Sequence, residues 1–182
     1  MPRAVINNPE SDLELSALVA EVFDTLPEHW QRRLPKNVLV NIATTSFDRI
    51  PELAQVCDEQ RRLQPEWDNR FWMFVQVVGQ EYSQDVAILW VRRSPDIHHH
   101  NPHYQFKKEL YTIIGQLLWH ISEEVRREAM DEATGMAQGS VNNTYLGFCD
   151  SFARYFLNPD YLRTRKQSAW RFMRRLDLAL AG

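Results

Sequence analysis

Cysteine is scarce in this 182-residue chain, which has two, Cys57 and Cys149. Two cysteines do not build a disulfide framework, so a reduced, cytoplasmic setting is the expectation. Long apolar runs are missing as well. None approaches the roughly 20 residues that cross a bilayer, and the polar, acidic opening MPRAVINNPESDLE does not read as a signal peptide. No membrane association is expected. Charge of one sign is also lacking: 21 Lys and Arg stand against 24 Asp and Glu, a formal net charge of -3, too small to point to nucleic acid or a membrane surface by itself. There is no Gly-x-Ser-x-Gly and no Gly-x-Gly-x-x-Gly, which removes an α/β-hydrolase elbow and a dinucleotide turn.

What is present describes a folded domain. Hydrophobic residues make up 44% and charged residues 25%, the balance of a globular core. The length fits a single domain over 1–182, with residues 1–10 a flexible lead-in. Six Trp and nine Phe suit a heavily packed core or an aromatic contact surface.

Periodicity predicts a helix from Ser11 or Asp12 to Leu26, where Pro27 stops it, and a short turn of helix over 28–33. Residues 38–42, 71–78 and 86–91 read as strands, the second apolar nearly throughout and therefore central in its sheet. A helix opens at Pro51 and ends before Pro65, and 92–103 reads as a loop. Residues 106–130 form the longest helical pattern, with Leu110, Ile113, Ile114, Leu117, Ile121 and Val125 on one stripe and His120 in the apolar middle. After a connection over 133–140, helices follow at 141–157 and from Pro159 to the end. This order predicts an α+β fold: a small, mainly antiparallel sheet packed by helices on one face, with a helical C-terminal half.

A strand, a loop, a long buried helix and then Phe152, Ala153, Tyr155, Phe156, Asn158 and Pro159 in sequence resemble the zincin-like metallopeptidases, in particular the small bacterial branch with the lethal-factor-like domains. The likeness covers roughly the last hundred residues. It implies a zincin-like fold in which the strand before the long helix, here VAILWV, borders the substrate. It also implies zinc held by H-E-x-x-H on that helix and by a third ligand on the next. The chain departs from this pattern where the chemistry sits. Two histidines at i and i+4 aim both imidazoles at one metal, and the glutamate between them is the general base. The matching stretch is Gly115-Gln116-Leu117-Leu118-Trp119-His120, and the position of the third ligand falls near Leu146. The resemblance therefore implies an inactive, pseudoenzyme member.

Three constellations remain. His120 and Glu124 stand at i, i+4 and could hold zinc with Asp150 or with a loop histidine, against the plainer reading of a core histidine and an exposed glutamate, with Asp150 paired to Arg154. His98 and His100, with His103, could share an ion, since alternate residues of an extended chain face one way; a solvated loop is the plainer reading. Arg163, Arg165, Lys166, Arg171, Arg174 and Arg175 surround Trp170 and could bind nucleic acid or an acidic partner, where a solvated helix face is more usual. Cys57 lies beside Asp58 and Glu59, which raise a thiol's pKa, and Cys149 sits on an aromatic face.

The expected function is a non-catalytic, bacterial or phage-type module that binds another protein, without a cofactor. Its docking groove is expected at Val86, Ile88, Trp90, Gln116 and Trp119, with an extended segment adding along the strand VAILWV. A zinc hydrolase with unusual ligands and a nucleic-acid-associated factor are the two alternatives.

Overall fold

A computed structural model describes residues 4–45, 47–53, 72–77, 85–92, 101–135 and 141–182. In chain order the elements are β1 (Ala4–Asn7), α1 (Leu13–Thr25), α2 (Glu28–Gln31), β2 (Asn37–Ile42), β3 (Trp72–Val77), β4 (Val86–Val91), α3 (Pro102–Ile121), α4 (Glu123–Gly135), α5 (Val141–Leu157), α6 (Pro159–Arg165) and α7 (Gln167–Ala181). The strands lie in the order β1-β2-β4-β3. β1, β2 and β4 run parallel, and β3 alone is antiparallel, to β4. The expectation of a mainly antiparallel sheet is thus overturned, although strands and helices do make an α+β fold. The crossover explains the first pair: α1 and α2 carry the chain back from β1, so β2 enters parallel. β4 lies parallel on the other side of β2, with β3 antiparallel beyond it.

Two further strand expectations are corrected. Residues 4–7 are a paired strand and not a lead-in; four residues are too few to show a period of two. β3 is an edge strand among the described residues, although its apolar run predicted a central one. The strand at 86–91 is instead the interior one, with β2 on one side and β3 on the other.

Alternation along β2 and β4 sorts the sheet into two faces. Val38, Val40, Ile42, Ala87, Leu89 and Val91 are buried in the main core with α1, α3 and α5. Val86, Ile88 and Trp90 alternate with them and are half-buried on the other face, as a period of two requires. There a smaller cluster of Phe47 and Leu53 takes in Ala43, Ile50 and Trp90, with the Arg92 guanidinium 5.2 Å from the Phe47 ring centre.

The helical layer is built around α3, whose Phe106, Leu110, Tyr111, Ile113, Ile114, Leu117, Leu118 and Trp119 are all buried. Asn101 starts it, accepting the Tyr104 amide at 3.0 Å, and Pro102 opens the first turn. His103 therefore belongs to this helix and not to a loop. The expected single helix over 106–130 is two. Ser122 is extended (φ -101, ψ 102), and its hydroxyl accepts the Val125 amide at 3.3 Å to start α4. Likewise Lys166 (φ -136, ψ 59) divides the last expected helix into α6 and α7. The helix expected from Pro51 is a 3-10 turn over Pro51–Leu53, and its remainder lies outside the described residues.

Aromatic rings lock the layers. Trp30 meets Phe152 edge-on with centroids 5.1 Å apart, Phe152 meets Phe156 at 5.0 Å, and Tyr111 stacks on Phe156 at 5.4 Å. No helix among the described residues is long and apolar enough to cross a membrane.

Candidate functional site

The period of 3.6 leaves α3 one polar line. Gln105, Glu109, Thr112, Gln116 and His120 are all half-buried and follow at steps of four, three, four and four. At 100° per residue they fall within an arc of about 80°. Gln105 donates to Glu109 at 2.6 Å, and Thr112 Oγ1 donates back to the Lys108 carbonyl at 2.8 Å. Most of the remaining circumference is apolar and buried. β3, an edge strand, packs against α3. The outer edge of β3 has no strand partner among the described residues, and β3 packs on the helix that carries the polar line.

His120 ends this line in the last turn of α3, its ring 5.5 Å from that of Tyr145. Burial, and secondarily Arg126, holds its pKa below the ordinary histidine value, so it is neutral near pH 7. Gly115 has a packing role. A Cβ there would lie 3.3 Å from the Cys149 Cα and 3.5 Å from Phe152, so α3 and α5 approach so closely that a side chain would press on the α5 backbone. Trp119 is buried between Tyr145 at 5.7 Å and Phe148 at 5.9 Å. The stretch 115–120 is therefore largely committed to contact with the aromatic helix α5.

Those of the residues considered for zinc that are described are not brought together around one position. The break at Ser122 puts His120 and Glu124 on different helices, which dissolves their i, i+4 relation. Glu124 instead accepts from Arg33 at 3.1 Å. Both oxygens of Asp150 accept from Arg154 Nε at 2.9 Å, and Lys166 adds a contact at 3.1 Å. Burial alone would raise this carboxyl's pKa, but those hydrogen bonds outweigh it and hold the group below the ordinary carboxylate range. Leu146, at the family's third-ligand position, is exposed. His103 pairs with Glu14 of α1, and His98 and His100 lie outside the described residues. Among the described residues no group of three or more His, Cys, Asp or Glu side chains is placed to hold a metal ion.

The expected docking residues are not brought together. Val86, Ile88 and Trp90 face away from α3, and both edges of their strand are already paired. Gln116 stays on the half-buried line, and Trp119 is interior. No segment can add along VAILWV; among the described residues the strands with a single partner are β1 and β3. The six cations of the C-terminal region are all exposed. Arg163 pairs with Asp160, Lys166 with Asp150 and Arg175 with Glu132, and Trp170 packs on Tyr155 at 5.3 Å. Cys149 is buried with its thiol pushed up to about 12, and Cys57 lies outside the described residues.

One polar constellation has no counterpart in the sequence reading. Asp177 of α7 accepts from His29 Nε2 at 2.6 Å, Trp30 Nε1 at 2.6 Å and Tyr155 Oη at 3.0 Å, which ties α2 and α5 to α7. Burial, then the Asp177 carboxylate, pushes the Tyr155 phenol up to about 12. The available signal was a lone acid between Leu176 and Leu178 in a helix otherwise basic. No family model, curated protein or solved structure matches the chain.

Proposed function

We propose that this chain is a non-catalytic module that binds another protein by taking an extended segment along the edge of β3, with the polar line of α3 supplying side-chain contacts. The observation that carries the reading is the position of β3, which has one strand partner among the described residues and packs on α3. A strand edge offers a row of main-chain donors and acceptors, and a peptide that pairs with it gains affinity from the backbone and specificity from alternate side chains. Gln116 and His120, amide and neutral imidazole, add donors and acceptors without charge. Kinship with the zincin-like metallopeptidases, with the zinc-binding letters replaced, is part of the same proposal and rests on residues 115–120 and 152–159. So is a cytoplasmic setting.

The test uses peptides selected from a random display library against the whole protein. Bound peptides are expected to slow hydrogen exchange of the β3 amides and to be weakened at least tenfold by Thr112→Arg or Gln116→Arg. Leu146→Asp, at an exposed site on α5, is expected to leave them unaffected. Peptides that protect other strands, or that ignore both arginine substitutions, would remove the reading. Zinc-dependent peptide hydrolysis that His120→Ala abolishes would install the hydrolase in its place.

A further inference from the structure

Two helices turn faces of opposite charge to solvent. On α1 the exposed residues Leu13, Glu14, Ala17, Glu21 and Asp24 recur at helical spacing, and the helix contains no Lys, Arg or His. On α7 the exposed residues Gln167, Arg171, Arg174, Arg175 and Leu178 do the same. Each stripe ends in a large apolar side chain left in water: Leu13 is 72% exposed and Leu178 64%. Leu13 begins α1, and Leu178 lies in the last turn of α7. Laid antiparallel with the leucines together, the helices put Glu21 about 12 Å and Arg171 about 10 Å along from the contact. Ala17 falls opposite Arg174 and Arg175, where its small side chain leaves room for the guanidinium groups.

We propose that these faces meet between two copies of this chain, α1 of one copy docking antiparallel on α7 of the next, Leu13 against Leu178, with Glu21 facing Arg171 and the acidic stripe of α1 lying along the arginines of α7. Charge complementarity between the stripes argues for a second copy as occupant, since one chain carries both halves. Leu178 within the arginines, and the packing of Trp170 onto Tyr155, favour a protein over nucleic acid, which would use an available aromatic. In the existing pairs of Glu21 with Lys107 and Arg175 with Glu132, Glu21 and Arg175 are exposed and their partners half-buried, so the two exposed groups stay within reach of a docking copy. A single helix-on-helix contact is small, so the association is weak and sensitive to salt.

Sedimentation of the full chain tests this. The average mass is expected to rise with concentration at low ionic strength and to fall back to that of the monomer in about 0.5 M salt. The doubly substituted chains Glu21→Arg with Asp24→Arg, and Arg171→Glu with Arg174→Glu, are each expected to stay monomeric, while their equimolar mixture associates. Leu13→Asp and Leu178→Asp, at exposed sites, are each expected to weaken association at least tenfold without changing the melting temperature. A wild-type chain that stays monomeric at low salt overturns the proposal, as does a mixture that fails to associate. So does oligonucleotide binding, lost in the Arg171→Glu, Arg174→Glu chain, without self-association.

Discussion

Two glycines on neighbouring helices differ only in what surrounds them, and that difference sets opposite expectations. A Cβ on Gly147 of α5 meets nothing within 4 Å, so Gly147→Ala should stabilise by about 1 kcal/mol through helix propensity alone. At Gly115 the same propensity gain is opposed by the Cys149 backbone at 3.3 Å, and overpacking of this kind costs about 1–3 kcal/mol. Gly115→Ala should therefore lower the urea midpoint while Gly147→Ala raises it. His120 makes a second prediction. Its folded pKa lies below the ordinary value because burial, then Arg126, disfavours the cation. The unfolded chain thus binds the proton more readily, and stability is complete above the unfolded pKa of about 6.5 and is lost as pH falls through the folded value. His120→Gln should flatten the decline in melting temperature on the acid side of pH 6.5; an unchanged slope would show that other groups cause it. Neither residue's role could be read from the chain, because glycine and histidine acquire these roles only from what packs against them.

Helices were legible where apolar spacing and caps agree, and they failed where a single polar residue changed the backbone direction. The stripe through Val125 ran on past Ser122, so the sequence read as one helix, although serine is a good cap. That break matters for chemistry, since it separates His120 from Glu124. The tie between elements is also nonlocal. His29 and Asp177 are 148 residues apart, and no pattern in either segment announces the other. Asp177 joins α2, α5 and α7 through three donors, two of them at 2.6 Å. Asp177→Ala leaves the Trp30 indole and the Tyr155 hydroxyl without their acceptor. Hydrogen bonds to charged groups contribute about 1.5–3 kcal/mol each, with unmade ones costing a similar amount. A loss of roughly 3–4 kcal/mol is expected in urea unfolding, accompanied by a change in tryptophan emission. Asp177→Asn, which keeps one acceptor oxygen, should recover part of it.

At the scale of the whole molecule, composition and patterning gave the α+β class and the positions of β2 and β4, but strand direction depends on which strands neighbour each other, and that is set by pairings far apart in sequence. β1 is the clearest case. Its sequence, AVIN, is too short to carry a period and sits among polar residues, which made a flexible lead-in the natural reading. In the fold it pairs with Val38 to Asn41 of β2, and the Asn7 amide donates to Asn41 Oδ1 at 2.7 Å. Ala4 and Ile6 pack on the core. Removing residues 1–7 would therefore take away the partial burial of Ile6, worth about 1 kcal/mol as a fraction of full burial, together with main-chain bonds of about 1 kcal/mol each. It would also turn β2, whose sequence NVLVNI is uncharged with four apolar residues of six, into an open edge, which invites strand pairing between molecules. The shortened chain should unfold at a clearly lower urea concentration and scatter light increasingly with concentration. Equal midpoints and clear solutions for the two chains would return residues 1–7 to the status of a loose lead-in and would take β1 out of the sheet.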